Sequence, residues 1–411
     1  MDTLCRFDVS SIRCLRYLRV KLGRDQPLTV LLGDGPMGRS SALEGLALLK
    51  SVIDGPEALA ERLKRFQDPD DLCRRGVNEM ILSVMFFDPD VTTEGSYVLF
   101  MLAFRRDDGV FHLHGETIKH PNKNADSILV RLGDVYMLKA AAQPAWKRER
   151  KEPPVLHIPP DKIVVHTRLP EPTAKVVARI MNVVRRIQIV FDLHQRCADP
   201  TRPDDAEARA RNIAGEWAAI RAGGEEGWQR ALSLARVVLG PALGLVTLSP
   251  AGLTLSFAGD PTVLSAADLP QDQLTWLATI PLIFQQPHKS LLALDQPERQ
   301  LSPLALATLI RELKRAEVPI VITTESNVPL QLLDDAADGL YVGVMEEPDR
   351  AVYYRPEPDR VREALRRHGD LAWVRASGAI HTLLGAPEPD NLAERFEKAR
   401  DVDVPVGEFR R

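Results

Sequence analysis

The feature that most constrains this chain is Gly33-Asp34-Gly35-Pro36-Met37-Gly38-Arg39-Ser40, set between the apolar run LTVLL and the stretch SALEGLALLKSVIDG. A short continuous apolar run, Leu28 to Leu32, suits a strand buried on both faces, as in a parallel sheet. After the loop, Leu43, Leu46, Ala47 and Lys50 bracket a helical face, and Gly55 marks its stop. The order strand, glycine loop, helix asks for an α/β architecture. The spacing is that of a phosphate-binding loop, G-x-x-x-x-G-K-[ST], with Arg39 in the lysine position. Glycines let backbone N–H groups turn inward around phosphate oxygens, and the following helix offers its positive end to the same anion. On that reading Gly33, Gly35, Gly38, Arg39, Ser40 and Ser41 line an anion cradle, and the Ser40 hydroxyl is a Mg²⁺ ligand. The plainer reading is a tight glycine turn in an unrelated α/β unit.

At 411 residues the chain has room for two or three structural units of about 100 to 200 residues. Leu18, Val20 and Leu22 alternate with Arg19 and Lys21, which predicts a half-buried strand at a sheet edge. Between residues 80 and 118, MILSVMFFD, SYVLFMLAFRR and VFHLHGETI are separated by turn signals and read as an antiparallel meander. Residues 144–172 are rich in proline and charge, a connector, and 173–240 carry apolar residues at helical spacing. A second α/β portion follows from LVTLS to VPIVITTES, then a charged helical tail whose clearest pieces are EALRRHGDLAWV and NLAERFEKARD.

Lys plus Arg number 53 against 57 Asp plus Glu, a net charge of −4. That argues against a surface that is wholly a polyanion-binding field, while leaving a local basic groove open. The basic run Lys147, Arg148, Arg150 and Lys151 is interrupted by Glu149 and Glu152 and reads as solvated connector. Cys5, Cys14, Cys73 and Cys197 form no CxxC pair, so neither zinc ribbon nor disulfide framework is expected and a reducing cytoplasm is the default. His112, His114, His120 and His157 lack metal-ligand spacing. No apolar run approaches the roughly 18 residues needed to span a bilayer.

A second constellation is SLLALDQPERQLSP, an apolar strand ending at Asp295, 255 residues after Ser40. Such a strand end can hold Mg²⁺ through its Asp, and a following carboxylate can polarise the attacking water. Here the next residue is Gln296, which can position a water but cannot accept its proton; Glu298 lies two residues further on. Ser302 is a good N-cap, with Pro303 at the first helical position. A third segment, VPIVITTES, sets Thr323, Thr324, Glu325 and Ser326 at a strand end. Ligands of parallel sheets gather at carboxyl ends, so these residues are expected in the same crevice as Gly33 and Asp295.

The order of these pieces resembles the ATP-binding heads of the ABC superfamily, in the AAA-type branch that includes SMC-like, RecF-like and OLD ATPases. The resemblance rests on residues 15–49, LPQDQLTWLATIPLIF, SLLALDQPERQLSPLALATLIREL and VPIVITTES, and covers most of residues 7–345. It is most specific at Asp295, Pro297, Glu298, Leu301 and Pro303, which match the family's Walker B strand and turn. It implies an α/β fold, an ABC-type ATPase head with an antiparallel β-meander and an inserted helical lid, and since no heptad pattern persists in the sequence no coiled-coil arm is expected. The divisions expected are an N-terminal lobe (1–143), the connector (144–172), the lid (173–240), a C-terminal lobe of the same head (241–345) and a helical tail (346–411).

The resemblance also implies ATP and Mg²⁺ as ligands, Ser40 and Asp295 as the metal's holders, and a protein partner, either a second copy or a competent ATPase or effector. It admits nucleic acid and gives no membrane role. Four positions depart from the family pattern. Arg39 replaces the loop lysine, Gln296 the catalytic Glu, Glu325 the switch His, and Leu269-Pro270-Gln271-Asp272 the Leu-Ser-x-Gly signature. These departures predict weak or absent nucleotide binding and impaired hydrolysis, in a regulatory or structural subunit of the kind found in DNA repair or anti-phage defence assemblies. Two alternatives stay open: an active ATPase in which Glu298 or Glu325 supplies the base, and a nucleotide-free protein-interaction scaffold.

Overall fold

The computed structural model describes residues 4–23, 27–35, 37–66, 72–73, 77–87, 97–107, 110–119, 127–132, 135–138, 155–157, 173–198, 205–285, 288–333, 339–348 and 350–385. Strands β1 (Leu4–Ile12) and β2 (Leu15–Lys21) form a hairpin, followed by β3 (Leu28–Leu32), α1 (Arg39–Asp54) and α2 (Pro56–Lys64). The meander continues from β1 through β4 (Glu79–Phe87), β5 (Tyr97–Asp107), β6 (Val110–Lys119), β7 (Ser127–Leu132), β8 (Val135–Leu138) and β9 (Val155–His157), all antiparallel. Next come α3 (Thr173–Arg185), β10 (Ile187–Val190), α4 (Ala206–Ala222) and α5 (Glu225–Leu239). A separate three-stranded sheet, β11 (Leu243–Ser249), β12 (Gly252–Phe257) and β13 (Val263–Ser265), precedes α6 (Gln271–Gln285). The last part is β14 (Leu291–Asp295), α7 (Pro303–Leu313), β15 (Ile320–Thr324), α8 (Val328–Gln331), β16 (Leu340–Glu347), β17 (Arg350–Tyr354), α9 (Pro358–His368) and α10 (Leu371–Ala376).

One sheet of order β10-β14-β15-β3-β16-β17-β2-β1-β4-β5-β6-β7-β8-β9 runs through the molecule. Strands β10, β14, β15, β3 and β16 are mutually parallel. Asp295 pairs with Thr323 and Thr324 with Leu32, so three strand ends arrive together. Their side chains alternate between two cores. Leu31, Val321 and Ala293 face α1 and α3, whereas Val30, Ile322 and Leu294 face α6 and α7. The fold is thus the expected α/β arrangement with an antiparallel meander and inserted helices. The longest helix among the described residues is α4, 17 residues, so they contain no coiled-coil arm. No helix among them is long and apolar enough to cross a membrane.

Two expectations are corrected. β2 is interior, between β17 and β1, and not at an edge. Its Arg19, which suggested a wet face, is buried because Asp8 neutralises it, with Nε donating to Oδ1 at 2.7 Å. Asp8 also accepts from Ser83 Oγ (2.6 Å), Arg6 Nε (2.9 Å) and Tyr17 OH (3.3 Å). Within the stretch expected to be helical, Ile187–Val190 is a strand pairing in parallel with β14. Its β-branched side chains suit a pleated surface better than another helical turn. The run 391–401 of the tail lies outside the described residues.

The inserted helices pack through tryptophan. Trp217 of α4 is fully buried, donates Nε1–H to Leu277 O (3.0 Å) and meets Trp228 edge-on at 5.7 Å. Trp276 of α6 donates to Leu234 O (2.8 Å). Trp217→Ala is expected to destabilise the fold by about 3–5 kcal/mol, read as a lowered urea midpoint. A midpoint unchanged from the parent would contradict this packing.

Candidate functional site

The loop begins where β3 runs out. Gly33 N–H donates to Thr324 O (3.3 Å), which ties the loop to the end of β15. Gly38 caps α1 with φ 71°, in the left-handed region. A Cβ there would stand 3.0 Å from Leu15 Cβ and 3.3 Å from Cys14 Sγ, so conformation and space both demand glycine. The first turn of α1 carries no acidic residue and no side-chain cap, which leaves its positive end directed at the loop.

Arg39 occupies that region itself. Its guanidinium donates to Gly33 O, to Gly35 O (2.9 Å) and to Glu325 Oε1, and it is 4% exposed. The two residues expected at the places of a loop lysine and a switch histidine thus pair with each other. Arg299 stands 3.9 Å from the same Glu325 carboxylate. On the other side, Ser40 Oγ donates to Asp295 Oδ1 (3.1 Å), and the Thr323 hydroxyl donates to the same oxygen.

Gln296 takes a left-handed backbone conformation, φ 44°, rare for a side chain with a Cβ. Its N–H donates to Thr323 O and Oγ1, both at 3.1 Å. Its Oε1 is buried with no hydrogen-bond partner. Glu298 Oε1 accepts the Glu325 N–H at 2.6 Å, so this carboxylate holds the switch-like loop. Tyr353 lies nearby with an unpartnered hydroxyl; burial pushes its phenol well above the ordinary value, while Arg39 pulls it the other way.

The structure therefore brings Gly33, Gly35, Gly38, Arg39, Ser40, Asp295, Gln296, Glu298 and Glu325 to one place, across 255 residues of sequence between Ser40 and Asp295. Ser41 is buried and also lines the cavity of about 430 Å³ at the loop, with Arg13, Cys14, Gln296 and Arg299. Leu269-Pro270-Gln271-Asp272, at the start of α6, does not line it. Sequence reasoning missed Arg375. This side chain, from α10, donates to Glu325 O (2.8 Å) and Asn327 Oδ1 (2.7 Å) and pairs with Asp34. No local pattern marks it, whereas the Arg39–Glu325 pair had an available signal, a gained carboxylate at the strand end beside the loop cation.

Two ligands are implied by the loop, and they fit unequally. The hydroxyl of Ser40 beside the carboxylate of Asp295 is a hard-oxygen pair suited to Mg²⁺. The phosphate cradle does not fit a triphosphate in this arrangement, since Arg39 is bound to the loop's own carbonyls and a carboxylate already faces it. An incoming polyanion would meet Glu325 at short range, where like charges repel. No hydrolytic step follows from this geometry. The described residues contain no group of three or more His, Cys, Asp or Glu side chains that could hold a metal. His120 and the basic run at 147–151 lie outside them.

No protein-family model matches the chain, and no curated protein matches it. Solved structures similar to it are SMC heads. One is an Smc head bound to the C-terminal winged-helix domain of ScpA, with 10% identity over 86% of this chain and 98% of that one and a TM-score of 0.48. Another is the SMC head domain from Thermotoga maritima, with 12% identity over 86% and 99% and a TM-score of 0.45. A third, from Pyrococcus furiosus, is an Smc head with an extended coiled coil bound to the C-terminal domain of ScpA, with 8% identity over 89% and 99% and a TM-score of 0.49. Likeness at this distance says nothing of activity.

Proposed function

We propose that this chain is an ABC-type ATPase-like subunit that holds nucleotide weakly or not at all, is impaired in hydrolysis, and serves as a structural or regulatory half of a larger assembly. The observation that carries the reading is the buried Arg39 guanidinium, shared between the loop carbonyls and Glu325. A lysine-like role toward phosphate would require Arg39 to exchange all of these partners for the ligand. Gln296 adds a second obstacle, because a carboxamide in place of a general base costs about 10²–10⁴ in rate. Glu298, a candidate substitute base, has Oε1 committed to the Glu325 N–H and only Oε2, buried and without a hydrogen-bond partner, left over. A protein partner supplying an intact loop and base would complete what this chain lacks, and that partner is either a second chain type or an effector.

Titration with a fluorescent ATP analogue, together with phosphate release in the presence of Mg²⁺, tests the reading. The expected result is no release above the blank and at most millimolar binding. Sustained Mg²⁺-dependent release that Asp295→Ala abolishes would sink it.

A further inference from the structure

We infer that α10 is an intramolecular strap, pinned by Arg375, that keeps Glu325 on Arg39 and so closes the phosphate loop against anions. The inference rests on the reading above for the state of the loop, and adds an element outside the loop that sets this state.

One guanidinium spans two loops. Arg375 reaches Asp34 in the loop after β3 and Glu325 O and Asn327 Oδ1 in the loop after β15, although these lie 341, 50 and 48 residues away. Its side chain is only 13% exposed, while that of Asp34 is 72% exposed. The helix that carries it is anchored. Leu371, Ala372 and Val374 are buried in the core beneath the parallel strands, and Asp370 caps the first turn by accepting from Trp373 N (2.7 Å).

The backbone of Glu325 is held from both sides, its N–H by Glu298 Oε1 (2.6 Å) and its carbonyl by Arg375 Nη1 (2.8 Å). With the main chain held on both sides, the carboxylate sits on Arg39, and Arg299 stands 3.9 Å from it. Arg375 is therefore a positioning residue, acting on Arg39 through Glu325. The charges close as well: Arg13, Arg39, Arg299 and Arg375 are matched by Asp34, Asp295, Glu298 and Glu325, so the strapped loop presents no formal net charge to an anion. An anion can gain Arg39 only by displacing Glu325, and the strap raises the free energy of that displacement.

Inorganic tripolyphosphate, which cannot report on nucleoside contacts, is the probe. It is titrated calorimetrically into the full chain, into Glu325→Gln, into Arg375→Ala and into the double variant. Amide hydrogen exchange is followed without ligand over residues 33–41 and 325–327. The expected result is at least tenfold tighter tripolyphosphate binding in Glu325→Gln than in the parent, and an intermediate gain in Arg375→Ala. The double variant should match Glu325→Gln alone, because the pin has nothing left to position. Exchange in the two loops should quicken in Arg375→Ala while the melting temperature stays within a few degrees.

Equal affinity in the parent and Glu325→Gln would overturn the lock. Unchanged loop exchange in Arg375→Ala, or weaker binding in the double variant than in Glu325→Gln, would overturn the strap, the latter by showing Arg375 to be a direct anion contact. If Arg375→Ala fails to fold, Arg375→Lys keeps the cation but loses the planar fork that bridges the two loops, and it is read in the same way. Neither measurement involves hydrolysis, so a chain that proved to turn over ATP would leave both readouts intact.

Discussion

Asp8→Ala should lower the stability of the fold by about 3–5 kcal/mol, since it removes a buried carboxylate shared by four donors. Asp8 is 1% exposed and Arg19 6% exposed, and they sit on adjacent strands in the middle of the large sheet. The carboxylate accepts from Arg19 and Tyr17 on Oδ1 and from Arg6 and Ser83 on Oδ2, so four donors lose this acceptor at once. Water has little access to the gap, and the desolvated guanidinium of Arg19 carries most of the penalty. Asp8→Asn keeps one acceptor and the shape, and should fall between the two. Urea unfolding followed by circular dichroism decides the matter, and a loss below about 1 kcal/mol would show that the charges are not mutually dependent. Replacing Asp8 and Arg19 together by well-packed apolar residues should recover much of the loss, as expected for an ion pair that specifies strand pairing more than it stabilises it.

Gly339→Ala is the second large effect, and it acts on the candidate site through the sheet. A Cβ at residue 339 would stand 2.0 Å from Leu28 O and 3.1 Å from Leu28 C, both main-chain atoms of β3. No rotamer change can relieve that overlap, so β16 must move away from β3. The movement breaks the hydrogen bond from Val30 N to Gly339 O, now 2.7 Å. Overpacking alone costs about 1–3 kcal/mol, and the lost bond adds about 1 kcal/mol. Since Gly33 emerges from the far end of β3, faster amide exchange is expected in residues 33–41 as well as in β16. A variant with parental stability and unchanged exchange would contradict the close approach.

How much of this was readable in the chain depends on how local each signal is. LTVLL, the glycine loop and α1 are contiguous, and so are β14 and the Ser302 cap, whose Oγ accepts Ala305 N–H as expected. Short-range periodicity and capping chemistry were enough there. β2 was misplaced because Arg19 looks like a solvent residue until Asp8 is known to lie across from it. Ile187–Val190 was lost inside a longer helical pattern, as four apolar or neutral residues satisfy either period. At the site, Arg39 and Glu325 were visible one by one as departures from an expected pattern. Their pairing is a property of β3 and β15 lying side by side, and Arg375 joins them only because α10 packs near α8. Contacts across some 300 residues leave no periodic trace.

The strand order has a consequence in time. β16 and β17 lie between β3 and β2, so the seam joining the parallel strands to the meander is made of residues 340–354. During synthesis at about 5–20 residues per second, β2 must wait on the order of tens of seconds for its neighbour β17. Until then both β2 and β3 present an open hydrogen-bonding edge, the kind of edge other chains can pair with. A nascent chain of this design therefore needs its N-terminal hairpin kept apart from similar chains until Tyr354 has left the ribosome.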